Sequence, residues 1–330
     1  MRNRRSKRNR YNYNLSNLKL ISKILAVLII IFLIIFLNAF INHKKTLKTP
    51  IDTSEITNNN EEPQNSTEVS TSDNSTITTE NTTSETKTTP EVTKKSTTIN
   101  MALTGDIMCH NTIYSDAFNK QSNTYDFSYL FDDIKYNIQT ADIAIGNLET
   151  TFAGSSKGYS SYPTFNTPEN LAYTLKKVGF DVLSTANNHC YDKGYSGIES
   201  TIDYLDDADI SHTGTFKSEE EQSKILIKNV KGIKIAFLSF TYGTNGIPVP
   251  SDKGYSVNLI DKDLIKKQLD LAKAQNPNMI CVSMHWGIEY QTTPNSEQKD
   301  LADFLFKNGT DIIIGNHPHV LQNFEKKEIT

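Results

Sequence analysis

Residues 312–320 read IIIGNHPHV, in which a short apolar run passes directly into a loop with two histidines. Along residues 99–330, such short apolar runs alternate with longer amphipathic ones, a pattern typical of strands that alternate with helices. In open α/β sheets, ligands bind beyond the carboxyl ends of the strands. The stretch therefore predicts an α/β domain whose functional site lies where its strands end.

Four other predicted strands end in the same way, each in a loop of polar side chains. The loops are residues 104–110 (TGDIMCH), 146–149 (GNLE), 186–189 (ANNH) and 284–287 (MHWG). Five of the seven histidines of the chain lie in these five loops, while His43 and His212 lie outside them and are interpreted as ordinary polar residues. A lone loop histidine is more often structural than a ligand, but five such loops favour one shared site.

The periodicity of the domain also predicts its elements. Predicted strands cover residues 98–103, 143–146, 182–185, 225–230, 233–240, 279–284 and 312–314. Predicted helices cover residues 129–139, 168–178, 195–208, 262–275 and 297–308. Residues 229–232 (NVKG) have the composition of a tight turn between two strands, so the sheet is expected to be mixed.

The side chains of the five loops are carboxylates, carboxamides and imidazoles, which form a mixed oxygen and nitrogen donor set. Such a set suits Mn²⁺, Fe or Zn²⁺ better than Ca²⁺. One or two divalent ions would polarise a phosphoryl or carbonyl group and lower the pKa of a bound water. His317 and His319 are expected to be ligands, because alternate residues of an extended chain point to one side and Pro318 stiffens the spacing.

Each of the three cysteines lies beside one of these motifs: Cys109, Cys190 and Cys281. Three cysteines cannot all pair within one chain, and small buried packing residues at strand ends are the simplest interpretation. An accessory role in metal binding is the alternative.

The part of the chain before this domain divides into three segments. Residues 1–23 are basic, residues 24–41 (ILAVLIIIFLIIFLNAFI) are apolar without a charge, and residues 42–98 are rich in Ser, Thr and Asn. A helix formed by these 18 residues is about 27 Å long, close to the thickness of the hydrocarbon core of a bilayer. The run therefore predicts a transmembrane anchor. A buried core helix and a cleaved signal peptide are the alternatives, but the run has neither a polar stripe nor a cleavage site. The linker 42–98 has too few apolar residues to fold, which predicts disorder.

Charge is distributed unevenly along the chain. Residues 1–48 hold 11 basic and no acidic side chains, which leaves 23 basic against 38 acidic residues, net −15, in the remainder. Positive charge before the apolar run predicts a cytoplasmic N-terminus and a single-pass protein of the cell membrane, with its domain extracellular. An acidic domain repels phosphate backbones, so no nucleic-acid partner is expected.

The ordered series TGDIM, GNLE, ANNH, MHWG and GNHPHV resembles the CapA family, bacterial capsule synthesis (poly-γ-glutamate) proteins related to calcineurin-like metallophosphoesterases. The resemblance spans about residues 98–324 and so covers the domain 99–330. It implies a four-layer α/β sandwich in which two mixed β-sheets pack face to face with helices outside. It also implies a set of metal ligands, namely Asp106, Glu149, Asn188, His285, His317 and His319.

The resemblance further implies roles within the site. Glu149 stands where a bridging Asp is usual, and His189 resembles the general acid beside the leaving group. Independently of the resemblance, the position of Asp192 just after the ANNH motif predicts that it either orients His189 or caps the helix near Tyr195. His110 follows Asp106 by four residues where the related enzymes have two, which leaves it outside the implied ligand set. Family members usually continue beyond the HPHV motif, so we expect the chain, which stops at Thr330, either to be a fragment or to lack the last strands.

Three functions are compatible with these residues. The first is a membrane-anchored CapA-like protein that acts, with other capsule-synthesis membrane proteins, in the production, export or retention of an anionic polymer such as poly-γ-glutamate. The second is a metal-dependent phosphoesterase that acts on small or wall-linked phosphates. The third is an assembly subunit that binds polymer without catalysis.

Overall fold

The computed structural model describes residues 96–327. The predicted anchor over residues 24–41 and almost all of the linker 42–98 lie outside that range. Among residues 96–327, no helix has the length and apolar character needed to cross a membrane.

The strands are β1 (Met101–Ile107), β2 (Phe118–Asn119), β3 (Thr124–Tyr125), β4 (Ile143–Leu148), β5 (Val182–Ser184), β6 (Ser211–Thr213), β7 (Leu226–Val230), β8 (Ile233–Thr241), β9 (Met279–His285) and β10 (Ile312–Asn316). The α-helices are α1 (Asn111–Ala117), α2 (Lys135–Thr140), α3 (Asn170–Val178), α4 (Gly194–Asp207), α5 (Glu219–Ser223), α6 (Lys262–Ala274) and α7 (Ser296–Lys307).

Eight of these strands form two four-stranded sheets. The first has the order β1-β4-β5-β6, and the second has the order β10-β9-β8-β7. The predicted α/β class is confirmed, but the expectation of two mixed sheets is wrong for the first sheet, in which all three pairings are parallel. Strands β1, β4 and β5 are each followed by a helical crossover to the next strand of this sheet, which is the connection that parallel neighbours require.

The second sheet is mixed because β7 and β8 form an antiparallel hairpin. The tight turn predicted at residues 229–232 closes it. Lys231 and Gly232 both have positive φ, and the backbone N–H of Gly232 donates to Asn229 Oδ1 over 2.9 Å. Two consecutive positive φ values are typical of the turns that match the twist of a hairpin.

Alternation along the strands builds three separate apolar layers. Ile143 and Ile145 of β4 pack with Phe237 and Cys281 of the second sheet, so this cluster fills the space between the two sheets. Ala144 and Leu148 of the same strand face the other way, against α3. On the far side of the second sheet, a third cluster joins β8 and β9 to α6 and α7. Successive strand residues point to opposite faces, which explains why β4 is buried throughout.

Some elements differ from their predicted bounds. Strand β1 continues to Ile107, four residues beyond its predicted end, with a register shift against β4 between Leu103 and Asp106. Residues predicted as one helix, 129–139, form a 3₁₀ turn at Ser128–Phe131 and the short helix α2.

The cysteines fit the packing interpretation, since Cys109, Cys190 and Cys281 are all free and buried. Burial raises the pKa of each thiol to about 12.

Candidate metal and catalytic centre

The carboxyl ends of strands from both sheets supply the candidate site. Asp106 lies near the end of β1 and pairs in register with Asn147 of β4, while Glu149 follows β4 directly. In the second sheet, β9 ends on His285, which pairs with Asn316 at the end of β10. His317 and His319 follow β10. Parallel strands bring their carboxyl ends to the same edge, which is why residues more than 200 positions apart meet.

Two groups of potential ligands lie at this edge, and they share one residue. Asp106, Glu149 and His285 form the first group, and Glu149, His317 and His319 form the second. Within each group, one ligand atom per residue lies within 4.8 Å of the others. Since Glu149 has two carboxylate oxygens, it can serve both groups at once, as the resemblance implied for a bridging residue.

Asp106 is held in place by contacts from three directions. Its Oδ1 accepts a hydrogen bond of 2.7 Å from Asn147 Nδ2. Its Oδ2 accepts one of 3.1 Å from the backbone N–H of His317 and lies 3.0 Å from His319 Nδ1. Only 9% of the side chain is exposed. The carboxylate therefore ties β1 to the loop after β10.

Glu149 has the most unusual environment in the site. Its side chain is fully buried, and neither carboxylate oxygen has a hydrogen-bond partner among the described residues. Burial, followed by the negative charge of Asp106, raises the pKa of Glu149 to about 10. His285 Nε2 lies 3.6 Å and His319 Nε2 lies 3.9 Å from Glu149 Oε1. A buried, unpartnered carboxyl group surrounded by imidazole nitrogens is costly by itself, and a divalent cation would satisfy it.

The histidines of the site are suited to bind a cation. Burial, followed by the neighbouring His317 and His319, holds the pKa of His285 well below its ordinary value of 6.5. Burial also lowers the pKa of His317, whose Nδ1 is buried without a hydrogen-bond partner among the described residues. Neutral imidazole is the form that binds metals. The donor set therefore fits a divalent ion of the class expected for mixed oxygen and nitrogen ligands.

The backbone conformation that brings His317 and His319 close to Glu149 differs from the predicted one. The sequence suggested an extended chain with both side chains on one side, but φ is +93° at His317 and +54° at His319. The expectation of an extended chain is wrong, because both residues have positive φ and therefore lie outside the extended region. Non-glycine residues adopt this conformation at a cost, and such strain clusters at functional sites.

Asn188 and His189 come from the loop after β5 and face different partners. Asn188 Oδ1 lies 2.8 Å from His285 Nε2, so it adjoins the first group of ligands. His189 Nδ1 lies 2.8 Å from Asp192 Oδ2, and 5% and 0% of the two side chains are exposed. Asp192 Oδ2 also accepts a hydrogen bond of 2.6 Å from the backbone N–H of Phe165, whose ring packs edge-on against His189.

Of the two roles considered for Asp192, the structure displays the contact with His189. Helix α4 begins at Gly194, and its N-cap, Lys193, has no side-chain capping bond. The alternative of a helix cap for Asp192 is therefore wrong.

His110 belongs to neither ligand group. Its Nδ1 lies 3.1 Å from Ser161 Oγ, and its ring packs edge-on against Phe165.

Three residues of the site were not singled out from the sequence. Asn147 contacts both Asp106 and His285, the latter at 3.2 Å. Tyr242 stacks on His285 with an interplanar angle of 9° and lies 4.7 Å from His317 between ring centroids. Asn245 contacts Asn188 and His189. Tyr242 and Asn245 lie in the loop after β8. Strand β8 ends in the polar run 241–246 (TYGTNG), so it is a further strand that passes into a polar loop, like the five that the sequence indicated.

Comparison with known proteins identifies relatives of the chain. Residues 100–329 match the family model described as "Bacterial capsule synthesis protein PGA_cap". The chain is 30% identical over 234 residues to the capsule biosynthesis protein CapA of Bacillus anthracis and 28% identical over 231 residues to the PGA biosynthesis protein CapA of Bacillus subtilis. Each match covers 69% of this chain, but the chain spans only 56% and 59% of the two relatives.

Solved structures give weaker likenesses. A putative 5′-nucleotidase from Staphylococcus aureus matches 67% of this chain and 45% of its own, with 14% identity and a TM-score of 0.40. The NAD nucleotidase of Haemophilus influenzae matches 52% of this chain and 33% of its own, with 13% identity and a TM-score of 0.32. TM-scores this low say nothing about activity. The family match, in contrast, covers the whole of the described domain, and the chain belongs to the PGA_cap family of bacterial capsule synthesis proteins.

Proposed function

We propose that this chain acts at the cell surface in the production, export or retention of an anionic polymer such as poly-γ-glutamate, and that its domain is a divalent-metal-dependent hydrolase. Membership of the capsule synthesis family supports the first part. The observation that carries the second is the pair of ligand groups that share Glu149 beside the buried His189–Asp192 pair. A purely structural pocket has no need of a buried carboxyl group without partners.

In this proposal, the ligands of the ions are Asp106, Glu149, Asn188, His285, His317 and His319. When bound, the ions supply Lewis-acid polarisation of the substrate and a nucleophilic water at neutral pH. Asp192 accepts from His189 Nδ1–H, so the other ring nitrogen, Nε2, is the one that gives a proton to the departing group. Phe165 supports this geometry, because its N–H bonds to Asp192 and its ring confines His189.

The proposal includes a location. The apolar run 24–41 is the membrane anchor, residues 1–23 are cytoplasmic, and residues 42–98 are a linker to an extracellular domain. The charge difference across the run and its length support this topology. Partners would be the membrane itself, other capsule-synthesis membrane proteins, and an anionic or phosphate-containing substrate.

The test is a hydrolysis screen on the purified full-length chain after its metal content has been measured. The panel contains a phosphomonoester, a phosphodiester and a γ-glutamyl amide, each with Mn²⁺ or Zn²⁺. We expect hydrolysis of at least one class, and we expect His189→Ala to lower turnover by about 10²- to 10⁴-fold. His212→Ala is the matched control, since His212 also pairs with an aspartate, Asp206, at 3.1 Å but outside the site.

A deletion strain complemented with His189→Ala separates catalysis from assembly. Loss of surface polymer together with loss of hydrolysis supports the proposed enzyme. Normal polymer, with no hydrolysis by the unsubstituted chain, contradicts it and favours the assembly subunit. Activity confined to the phosphate compounds favours the phosphoesterase alternative.

A further inference from the structure

Asn245 occupies a turn that is built to hold one side chain over the candidate site. Asn245 and Gly246 have φ values of +51° and +75°, a combination typical of a two-residue type I′ turn. The turn is closed twice. Ile247 N–H donates to the carbonyl of Thr244 over 2.9 Å, and the Thr244 hydroxyl donates to the carbonyl of Ile247 over 2.6 Å. Thr244 itself is buried, so the turn is anchored although its tip is exposed.

The first contact of Asn245 is with Asn188. Asn188 Nδ2 donates a hydrogen bond of 3.1 Å to Asn245 Oδ1. A carboxamide has two ends of nearly equal shape, and the hydrogen bonds around it decide which end faces which way. Because the amino end of Asn188 is bound to Asn245, the oxygen end faces His285 Nε2 at 2.8 Å. Only that oxygen can bind a metal ion, so the acceptor on Asn245 selects the orientation that a ligand needs.

The second contact is with His189. Asn245 Nδ2 lies 3.3 Å from Nδ1 and 3.4 Å from Nε2 of the imidazole. An atom almost equidistant from both ring nitrogens lies over the ring rather than in line with either lone pair. His189 Nδ1 is already bound to Asp192, and the ring of Phe165 packs against His189 edge-on at 4.6 Å. Asn245 therefore adds a third restraint on the rotation of this imidazole.

We propose that Asn245 is a positioning residue for both halves of the site: it points the Asn188 oxygen into the ligand group and confines the ring of His189. This role rests on the proposed function. It assigns to the turn after β8 the task of coupling metal binding to proton donation through one exposed carboxamide.

Two substitutions separate this role from a simple turn function. Asn245→Gly removes the side chain but keeps a residue that adopts positive φ without cost. Asn245→Asp keeps an acceptor for Asn188 and removes the donor above His189. The matched control is Asn276→Gly, because Asn276 also has positive φ, at +50°, but lies after α6.

The first readout is the Mn²⁺ affinity of the full-length chain, measured by competition with a chromophoric chelator. Loss of a residue that orients a ligand typically costs 10- to 100-fold in metal affinity. We expect a loss of that size in Asn245→Gly, none in Asn276→Gly, and unchanged or tighter binding in Asn245→Asp. Wild-type affinity in Asn245→Gly would overturn the proposal.

The second readout needs no metal. In the chelator-treated chain, hydrogen exchange of the Asn188 side-chain amide is followed by NMR. We expect at least tenfold faster exchange in Asn245→Gly than in the unsubstituted chain. Unchanged exchange would also overturn the proposal. If the unsubstituted chain binds no Mn²⁺, the proposed function fails, while faster exchange in Asn245→Gly would still support the orientation of Asn188 by Asn245.

Discussion

At Glu149, burial and the neighbouring negative charges both raise the pKa of the carboxyl group. Asp106, His285 and His319 face it most closely, and Glu289 and Asp192 add negative charge from further away. Its pKa of about 10 in the metal-free fold lies far above the ordinary value of 4.5. The folded chain therefore holds a proton that the unfolded chain has lost between these pH values.

The sign of the resulting pH dependence follows from linkage. The contribution of Glu149 to metal-free stability is full below about pH 4.5 and is lost progressively as the pH rises towards 10. The slope is at most about 1.4 kcal/mol per pH unit. We expect the melting temperature of the chelator-treated chain to fall more steeply from pH 6 to 9 than that of Glu149→Gln, which has no proton to lose. Parallel curves for the two proteins would contradict the prediction.

His317 and His319 carry a prediction about metal content. Their simultaneous replacement by Ala removes two of the three members of the second ligand group. We expect most of the bound metal to be lost, as measured by elemental analysis, while the circular dichroism spectrum is retained. The control is His110→Ala/His212→Ala, which changes two histidines outside both groups. A full metal complement in His317→Ala/His319→Ala would show that the ligand assignment is wrong.

Single residues of the site were predictable from the sequence only where they directly follow an apolar run that indicates a strand. Asp106, Glu149 and His285 follow apolar runs, so their convergence can be inferred from the edge of a parallel sheet. The left-handed backbone of His317 and His319 was not predictable, because the pattern HPH contains no glycine to indicate positive φ. Asn147 and Asn245 belong to the site through their contacts with other side chains, and such contacts leave no periodic signal in the sequence.

The segment between β4 and α3 is an element of irregular chain that one buried residue organises. Asn166 is fully buried, and its Oδ1 accepts a hydrogen bond of 2.7 Å from the backbone of Ala153. Its Nδ2 donates to the carbonyls of Gly154 and Gly158 over 3.0 and 2.9 Å. The neighbouring Phe165 then donates to Asp192. The position of His189 therefore depends on the folding of this segment.

Asn166→Asp is a nearly isosteric test of this dependence. The change retains the acceptor for Ala153 but turns a carboxylate oxygen towards two carbonyls, which leaves both without a donor. We expect a loss of about 2–4 kcal/mol in the free energy of unfolding, from denaturant titration of the full-length chain. Asn137→Asp on the exposed face of α2 is the control and should change stability by less than about 0.5 kcal/mol. A comparably small change in Asn166→Asp would contradict the prediction.

The long helices were predictable to within one or two residues. Helix α6 begins where Asp261 accepts from the backbone of Leu264, and α7 begins with a capping box formed by Asn295 and Gln298. These are local signals, and local signals are what a sequence displays. Strand β6 was missed because its three residues, SHT, carry no apolar pattern. Its conformation comes from parallel pairing with β5, a partner 29 residues away.

For the whole molecule, the alternation of apolar and amphipathic runs was enough to predict the α/β class. It could not predict how the strands divide between two sheets, because both faces of β4 and most of β8 are buried and the two sides look alike in the sequence. That division depends on which apolar face meets which partner. The hairpin of β7 and β8 was visible only because its turn has a distinctive composition.

The proposed topology of the whole chain predicts a pattern of proteolysis. Residues 50–98 contain three lysines, Lys87, Lys94 and Lys95, within a segment expected to be disordered. Trypsin added to intact spheroplasts should therefore release the domain, with N-terminal sequences that begin at Thr88, Lys95 or Ser96. A cytoplasmic marker protein must stay uncut in the same sample. Complete protection of the chain until the membrane is permeabilised would contradict an extracellular domain.

The three free cysteines lie in three different apolar clusters of the fold. Cys109 is in the layer between the first sheet and its helices, Cys281 is between the sheets, and Cys190 is in the cluster beside the ANNH loop. A buried, protonated thiol reacts with an alkylating reagent only when its surroundings open. The rates at which the three sites are alkylated therefore report the opening of three regions of one molecule. Equal rates would mean that these clusters open together, whereas faster labelling of Cys190 would mean that the loop beside the His189–Asp192 pair opens while the sheets stay closed.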